Sequence, residues 1–317
     1  MQPLAPVEDA LARVRAGISA RAAAIGERIG DHLAAFVARP GKMLRSRFAL
    51  LLGSALGVDA RAAERAACAV ELVHNASLLH DDCVDGAALR RGLPTPNGLF
   101  GPTAAVLLGD LAFAEGMDEA SELSTWAARR LVSTAREMTS GELQEEFLRG
   151  SLNVSVEGYL GLAARKTGAL FEWAGAALSE ASPRPHRKDD PPRIGRCAGI
   201  VLQIVDDIHD FTLDRETAGK EPGQDFMLGK LTIPSILALD DESLRPRFLE
   251  LWNRSPRDSA AVAELVALLR GGGCFESARE KARESLDCAL PLVADLPVKE
   301  EAQRLARFLE ALFRREF

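Results

Sequence analysis

Apolar residues recur at intervals of three and four along most of the chain, and no stretch sustains the strict alternation of a half-buried strand. That period stacks apolar side chains on one face of a helix. Alanine and leucine, which lose little on entering a helix, carry much of the pattern. Helices are expected over Val7–Arg28, Lys42–Leu56, Ala60–Asp85, Ala104–Glu119, Leu123–Arg149, Val156–Glu180, Pro192–Leu213 and Ile233–Leu239, with shorter ones from Leu244 to Phe317. Three breaks interrupt them. Residues 86–103, GAALRRGLPTPNGLFGPT, are rich in Gly and Pro and are expected to be loop. Residues 181–193, ASPRPHRKDDPPR, form a polar connector. Residues 214–232, DRETAGKEPGQDFMLGKLT, are polar and glycine-punctuated, a length and texture common in functional lids. None of these would separate independent units, so the pattern predicts one all-α domain over residues 1–317.

Composition narrows the picture. Of 317 residues, 47% are hydrophobic and 27% charged, the balance of a folded chain with a sizeable core. A net charge of −7 argues against nucleic acid, whose binding shows as a basic surplus. The five cysteines form no C-x-x-C pair, so neither zinc nor dithiol chemistry is indicated and a reducing cytoplasm is expected. MQPLAPVEDALARVRAG is charged early and lacks the apolar core of a signal peptide. The longest uncharged run, Gly92–Gly109, is broken by Pro94, Pro96 and Pro102, so no bilayer span is expected.

Two segments break the apolar pattern in the same way. LLHDDCVD carries Asp81, Asp82 and Asp85, and IVLQIVDDIHD carries Asp206, Asp207 and Asp210, both spaced D-D-x-x-D. On a helix, positions i and i+4 share a face and i+1 is within reach of it, so each triplet projects a compact carboxylate cluster. Asp-Asp pairs are usually solvated charge. Here the preceding residues, AVELVHNASLL and CAGIVLQIV, are those of a buried helix. Three carboxylates in such a place cannot all stay ionised without a cation. Oxygen donors without His or Cys at ligand spacing suit a hard ion, magnesium in particular, which is commonly held by carboxylates together with substrate phosphates.

Basic residues occur where such phosphates would need them: Lys42 and Arg45 in GKMLRSR, Arg90 and Arg91 in the first loop, Lys166 beside Thr167 in ARKTG, Lys220 in AGKEPGQD and Lys230 in GKLT. Any one of them would pass for a surface residue. As a set beside two acidic triplets they point to a diphosphate ligand.

With these motifs in this order, the segment from about Pro40 to Pro234 resembles the trans-isoprenyl diphosphate synthases, the polyprenyl synthetase family. ELVHNASLLHDDCVD followed by RRGLPT, then LLGD, ARKTGALF, LQIVDDIHD, GKEPGQD and GKLTIP, carry the resemblance. It implies a helical bundle around a deep central cavity, a homodimer, and head-to-tail condensation of isopentenyl diphosphate with an allylic diphosphate. By matching position, the six aspartates would hold magnesium, about three ions, bridging to the allylic diphosphate. Arg90, Lys166, Lys220 and Lys230 would contact that diphosphate, while Lys42, Arg45, His74 and Arg91 would bind isopentenyl diphosphate. Thr167 and Gln203 would turn oxygen atoms toward the developing allylic cation. His80 and His209 are read as neighbours of the site rather than as bases. The chain departs from the family's G-G-K-R-x-R-P at Pro40, Met43 and Ser46, has Asn97 where a histidine is common, and has Leu202 where a phenylalanine is common.

Residues four and five before Asp81 lie about one helical turn below it. They are Ser77 and Ala76, both small, whereas the resemblance implies that bulk there would floor the pocket near about fifteen carbons, as in farnesyl-type members of the family. A deeper pocket and a product of about twenty carbons or more are therefore expected. Leu111, Phe113 and Phe147 are the next candidate floors. Three other readings compete: a farnesyl-type short-chain synthase, a class I terpene cyclase, and a non-catalytic subunit of a heteromeric synthase. A cyclase normally mixes Asn, Ser or Thr with Glu in its second metal motif, unlike DDIHD, and a non-catalytic subunit leaves six aspartates without a use.

Overall fold

The computed structural model describes residues 5–24, 26, 29–37, 41–90, 92–213, 222–255 and 257–314. Among them almost all regular structure is helical: α1 (Ala5–Ala24), α2 (Ile29–Val37), α3 (Leu44–Leu56), α4 (Ala60–Val84), α5 (Pro96–Phe100), α6 (Pro102–Leu123), α7 (Thr125–Leu148), α8 (Val156–Ala163), a π-helical turn (Ala164–Gly168), α9 (Ala169–Ala181) and α10 (Asp190–Thr212). The C-terminal part adds α11 (Gln224–Met227), α12 (Ile233–Asp240), α13 (Arg245–Trp252), α14 (Ser259–Gly271), α15 (Cys274–Ala294) and α16 (Lys299–Arg314).

The sequence pattern missed three features. What reads as one helix to Arg28 ends at Ala24, and α2 follows beyond Gly26, whose φ of 135° is open to glycine alone. The 86–103 segment is not all loop. It holds a two-residue antiparallel ladder, β1 (Leu89–Arg90) with β2 (Leu93–Pro94), then α5 and the start of α6. Thr95 organises it: fully buried, it donates to the Ala87 carbonyl at 2.6 Å and caps α5 by accepting from the Gly98 N–H at 2.9 Å. Third, the expected helix over Val156–Glu180 is divided by the π turn.

Two apolar clusters form the core. One gathers Phe48, Leu72, Leu131, Phe171 and Trp173 from α3, α4, α7 and α9. The other gathers Ile208, Phe226, Ile236, Phe248 and Leu265 from α10 to α14. Helix α10 belongs to both, sending Val201 and Val205 into the first and Ile204 and Ile208 into the second. Burial on both sides leaves its aspartates few places to go. Among the described residues no helix is long and apolar enough to cross a membrane.

Candidate active site

Helix α4 is started by Asp59, whose carboxylate accepts from the backbone N–H groups of Arg61 and Ala62. It ends at the first aspartate triplet. Gly86, at φ 63°, reverses the chain, and the Ala87 N–H closes onto the Asp82 carbonyl at 2.9 Å. Asn97 donates its amide to that same carbonyl at 3.2 Å, so the residue that replaces the family's histidine helps bind the 86–97 segment to the helix end. Asp82 is fully buried and pairs with Arg90 Nε at 2.8 Å. Asp85 is exposed, 3.8 Å from Arg149 at the end of α7. Burial pushes Asp81 up to about 7; Glu142 and Asp85 add to the rise, against the pull of Lys166 and Arg90.

The second triplet is placed by close backbone packing. A Cβ on Gly199 of α10 would lie 2.4 Å from the Cα of Gly168 in the π turn, so only glycine allows that approach. It brings Thr167 beside Gln203: the Thr167 hydroxyl donates to Gln203 Oε1 at 2.6 Å. Gln203 Nε2 then donates to Asp207 Oδ1 at 2.9 Å, and the Tyr159 hydroxyl donates to Asp207 Oδ2 at 2.5 Å. Burial is the main cause that raises Asp207 to about 7. Asp206 is half-buried and Asp210 buried. Asp210 anchors the returning chain, accepting from the Gly223 N–H through its carbonyl at 2.7 Å and from the Asp225 N–H through Oδ2 at 3.2 Å.

Between the triplets, two lysines named from the sequence meet two glutamates that sequence reasoning missed. Glu145 Oε2 on α7 accepts from Lys166 Nζ at 2.8 Å and from Lys230 Nζ at 3.0 Å, and Lys166 also meets Glu142 at 2.8 Å. The two ammonium groups hold Glu145 below the usual carboxylate range despite its burial. The same carboxylates hold Lys166 above its ordinary value despite burial. Glu142 and Glu145 stand in SGELQEE, within the expected helix Leu123–Arg149, where nothing in their spacing marks them apart from other helix charges. Tyr159 carried one signal, as the chain's single tyrosine two turns before Lys166.

On the third side, Arg45 is driven down to about 10 by burial, opposed by the charges of Glu71 and Asp81. Its Nη1 sits 3.1 Å from His74 Nε2, and its guanidinium lies 5.6 Å from the centre of the Phe171 ring. Ser46 donates to Glu71 at 2.7 Å, so the family's proline is replaced here by a residue that orients Arg45's counter-charge. Lys42 is exposed just ahead of α3. Its field, after burial and that of Arg279, depresses His209, which places Lys42 toward the second triplet. Met43 between them takes φ 45°, the one non-glycine residue with positive φ among those described. His80 turns aside to α6, 3.3 Å from Asp110 and 3.2 Å from the Val106 carbonyl.

Arg91 and Lys220, and Pro40 among the family departures, lie outside the described residues. Ala76 is buried and Ser77 half-buried, its hydroxyl donating to the His74 carbonyl at 2.9 Å; Leu111 and Phe113 are half-buried on α6. Phe147 is no floor: at 82% exposure it stands on the outer face of α7.

The donor set suits a hard divalent cation. It is all carboxylate, it is partly dehydrated, and its lysines and arginine do not bring Asp81 down to its ordinary range. Among the described residues no three His, Cys, Asp or Glu side chains already surround one point, so ligand oxygens would have to complete any coordination sphere.

An all-α bundle that sets two D-D-x-x-D helix ends around one cluster of lysines and arginines defines a prenyltransferase of the isoprenyl diphosphate synthase class. Comparison with known proteins makes the assignment specific. Residues 27–269 match the polyprenyl synthetase family, and the chain belongs to it. It is 30% identical over 308 residues, 95% of this chain and 94% of the relative, to the all-trans-nonaprenyl-diphosphate synthase (geranyl-diphosphate specific) of Rhodobacter capsulatus. Heptaprenyl diphosphate synthase component 2 of Geobacillus stearothermophilus is 32% identical over 266 residues, 82% and 81% of the two chains. The crystal structure of a polyprenyl synthase from Caulobacter crescentus CB15, complexed with calcium and isoprenyl diphosphate, superposes with a TM-score of 0.90. That pair is 29% identical, and the match covers 98% of this chain and 96% of the other.

Proposed function

We propose that this prenyltransferase condenses isopentenyl diphosphate with an allylic diphosphate and repeats the step to a product of about twenty carbons or more. The observation that carries the reading is the Lys166–Glu145–Lys230 cluster lying in the fields of both triplets. Lys166 pulls Asp81 down while Glu145, bonded to that lysine, pushes Asp207 up.

Of the six aspartates expected to hold magnesium, Asp81, Asp82, Asp85, Asp206 and Asp210 would do so, Asp207 being set apart because Tyr159 and Gln203 engage both its oxygens. Arg90, Lys166, Lys220 and Lys230 would take the allylic diphosphate. Bound magnesium supplies positive charge that offsets the charge gathering on the leaving diphosphate. Lys166 and Lys230, released from Glu145 onto phosphate oxygens, add to that neutralisation as the C–O bond opens. Arg45, His74, Lys42 and Arg91 hold isopentenyl diphosphate with its double bond toward the allylic carbon. Thr167 and Gln203 present oxygens to the allylic cation. The proton lost after bond formation goes to the departing diphosphate, so no side-chain base is required. Ala76 and Ser77 leave space below Asp81 for the growing chain, with Leu111 and Phe113 as the next barriers.

A homodimer is supported by where the surface is apolar. Among the described residues, the exposed large apolar side chains all fall between Val84 and Leu152, including Leu99, Phe100, Leu107 and Phe147.

Purified protein with magnesium, labelled isopentenyl diphosphate and a panel of allylic primers tests the reading, with products sized by chromatography. Elongation that needs both diphosphates is expected. Cyclised hydrocarbon from the allylic diphosphate alone would replace this reading with a cyclase. Activity only after addition of a second, different chain would replace it with a heteromeric subunit.

A further inference from the structure

We propose that Asp207 and Tyr159 serve as positioning residues that fix the amide of Gln203, and through it the hydroxyl of Thr167, so that oxygen lone pairs face the reacting allylic carbon. The proposal rests on the prenyl-transfer reading of the site.

The argument is one of donors and acceptors. Asp207 is buried, 1% exposed, and both of its oxygens accept: Oδ2 from the Tyr159 hydroxyl at 2.5 Å and Oδ1 from Gln203 Nε2 at 2.9 Å. When ionised, Asp207 can receive only the NH2 side of an amide, and Gln203 Nε2 is the atom that meets it, with Oε1 turned away. There Oε1 accepts from the Thr167 hydroxyl at 2.6 Å. That hydroxyl has one proton and spends it on Gln203, leaving its lone pairs for any other neighbour. Every donor in the chain Thr167, Gln203, Asp207 points toward Asp207, and Tyr159 closes it from the far side.

With the amide reversed, Oε1 would oppose the carboxylate lone pair to lone pair. The NH2 group would then face Thr167 and any allylic carbon bound beside it. An N–H dipole aimed at a carbon gaining positive charge opposes ionisation, whereas an oxygen assists it. Asp207 therefore differs in duty from its neighbour Asp206, which lies about a hundred degrees round the helix from it. Sequence spacing makes the two look alike as metal ligands. The hydrogen bonds separate them.

Tyr159→Phe, Asp207→Asn and Thr167→Val would be compared with Asp206→Asn in two measurements. The first is magnesium-dependent affinity for an unreactive allylic thiolodiphosphate, by calorimetry. The second is steady-state turnover with both diphosphates. Tyr159→Phe, Asp207→Asn and Thr167→Val are expected to keep analogue affinity within about threefold of the parent while kcat falls about thirtyfold or more; Asp206→Asn is expected to lose more than about tenfold in affinity. A loss of analogue affinity in Asp207→Asn equal to that in Asp206→Asn would make Asp207 a metal ligand and overturn the proposal. So would parent-like kcat in Tyr159→Phe, the variant least able to disturb the fold. A parent protein that neither binds the analogue nor elongates a primer would instead remove the underlying reading, a result distinct from either.

Discussion

Lys166 in the π turn and Lys230 after α11 share a single acceptor oxygen, Oε2 of Glu145, at 2.8 and 3.0 Å. Two ammonium groups that repel each other are thus held at one place by a largely buried carboxylate, where a diphosphate oxygen could take its role. Replacing it as Glu145→Gln removes the charge and keeps the shape. A stability loss of about 1–3 kcal/mol is expected. Magnesium diphosphate should raise the melting temperature of Glu145→Gln by more than it raises that of the parent, because it returns the missing charge. Equal shifts in differential scanning fluorimetry would show that these lysines do not meet diphosphate.

The position of Asp81 gives a pH dependence with a definite sign. Burial raises it to about 7, so the folded chain holds this proton more tightly than the unfolded chain does. Its contribution to metal-free stability therefore declines as pH rises from the ordinary carboxylate range to about 7, and stays reduced above that. Metal binding needs the ionised form. Magnesium-dependent affinity for diphosphate should weaken about fivefold between pH 7 and pH 6 on account of this group alone. Calorimetry at the two pH values checks it, and an affinity that does not change would exclude Asp81 from the metal site.

Arg90 lies one-third exposed against an Asp82 carboxylate with none of its surface in water. Arg90→Ala is expected to cost about 2 kcal/mol, less than a fully buried pair because water screens the arginine. The double variant Arg90→Ala with Asp82→Asn should recover most of that in urea unfolding. Catalysis should not recover, since both positions belong to the proposed diphosphate and metal site.

Gly199→Ala tests the approach of α10 to the π turn. Its new methyl would lie 2.4 Å from the Cα of Gly168, where neither backbone can yield cheaply. A loss of about 2 kcal/mol is expected. Turnover should fall further than stability implies, because the Thr167–Gln203 bond spans the same contact. Kinetics on the folded variant separate the two effects.

Ser77→Phe should shorten the product, with chromatographic sizing as the measure. Ser77 is half-buried and leaves a larger side chain room to turn. Ala76 is buried, so Ala76→Phe also strains the core and is the weaker probe. If Ser77→Phe makes the same product as the parent, the space beneath Asp81 is not where the chain grows.

Much of the protein was legible from the residues alone. The helical period, the two D-D-x-x-D helix ends and the order of basic motifs are local properties, set by spacing on one helix, and they were enough for the all-α fold and the family. Tertiary structure decided the rest. At the π turn Gly168 and Gly199 touch across two helices, a contact that no single period encodes. Glu145 joins the candidate site because α7 carries it between two lysines more than twenty residues and more than eighty residues away in the chain, which its own segment does not encode. Phe147, apolar and plausible as a pocket floor, faces outward for the same reason: which side of a helix is covered depends on what packs against it. Asp206 and Asp207 are equivalent as letters. Only the arrival of Tyr159 and Gln203 at both oxygens of Asp207 distinguishes them, because hydrogen bonding depends on the direction of approach and not on position in the chain.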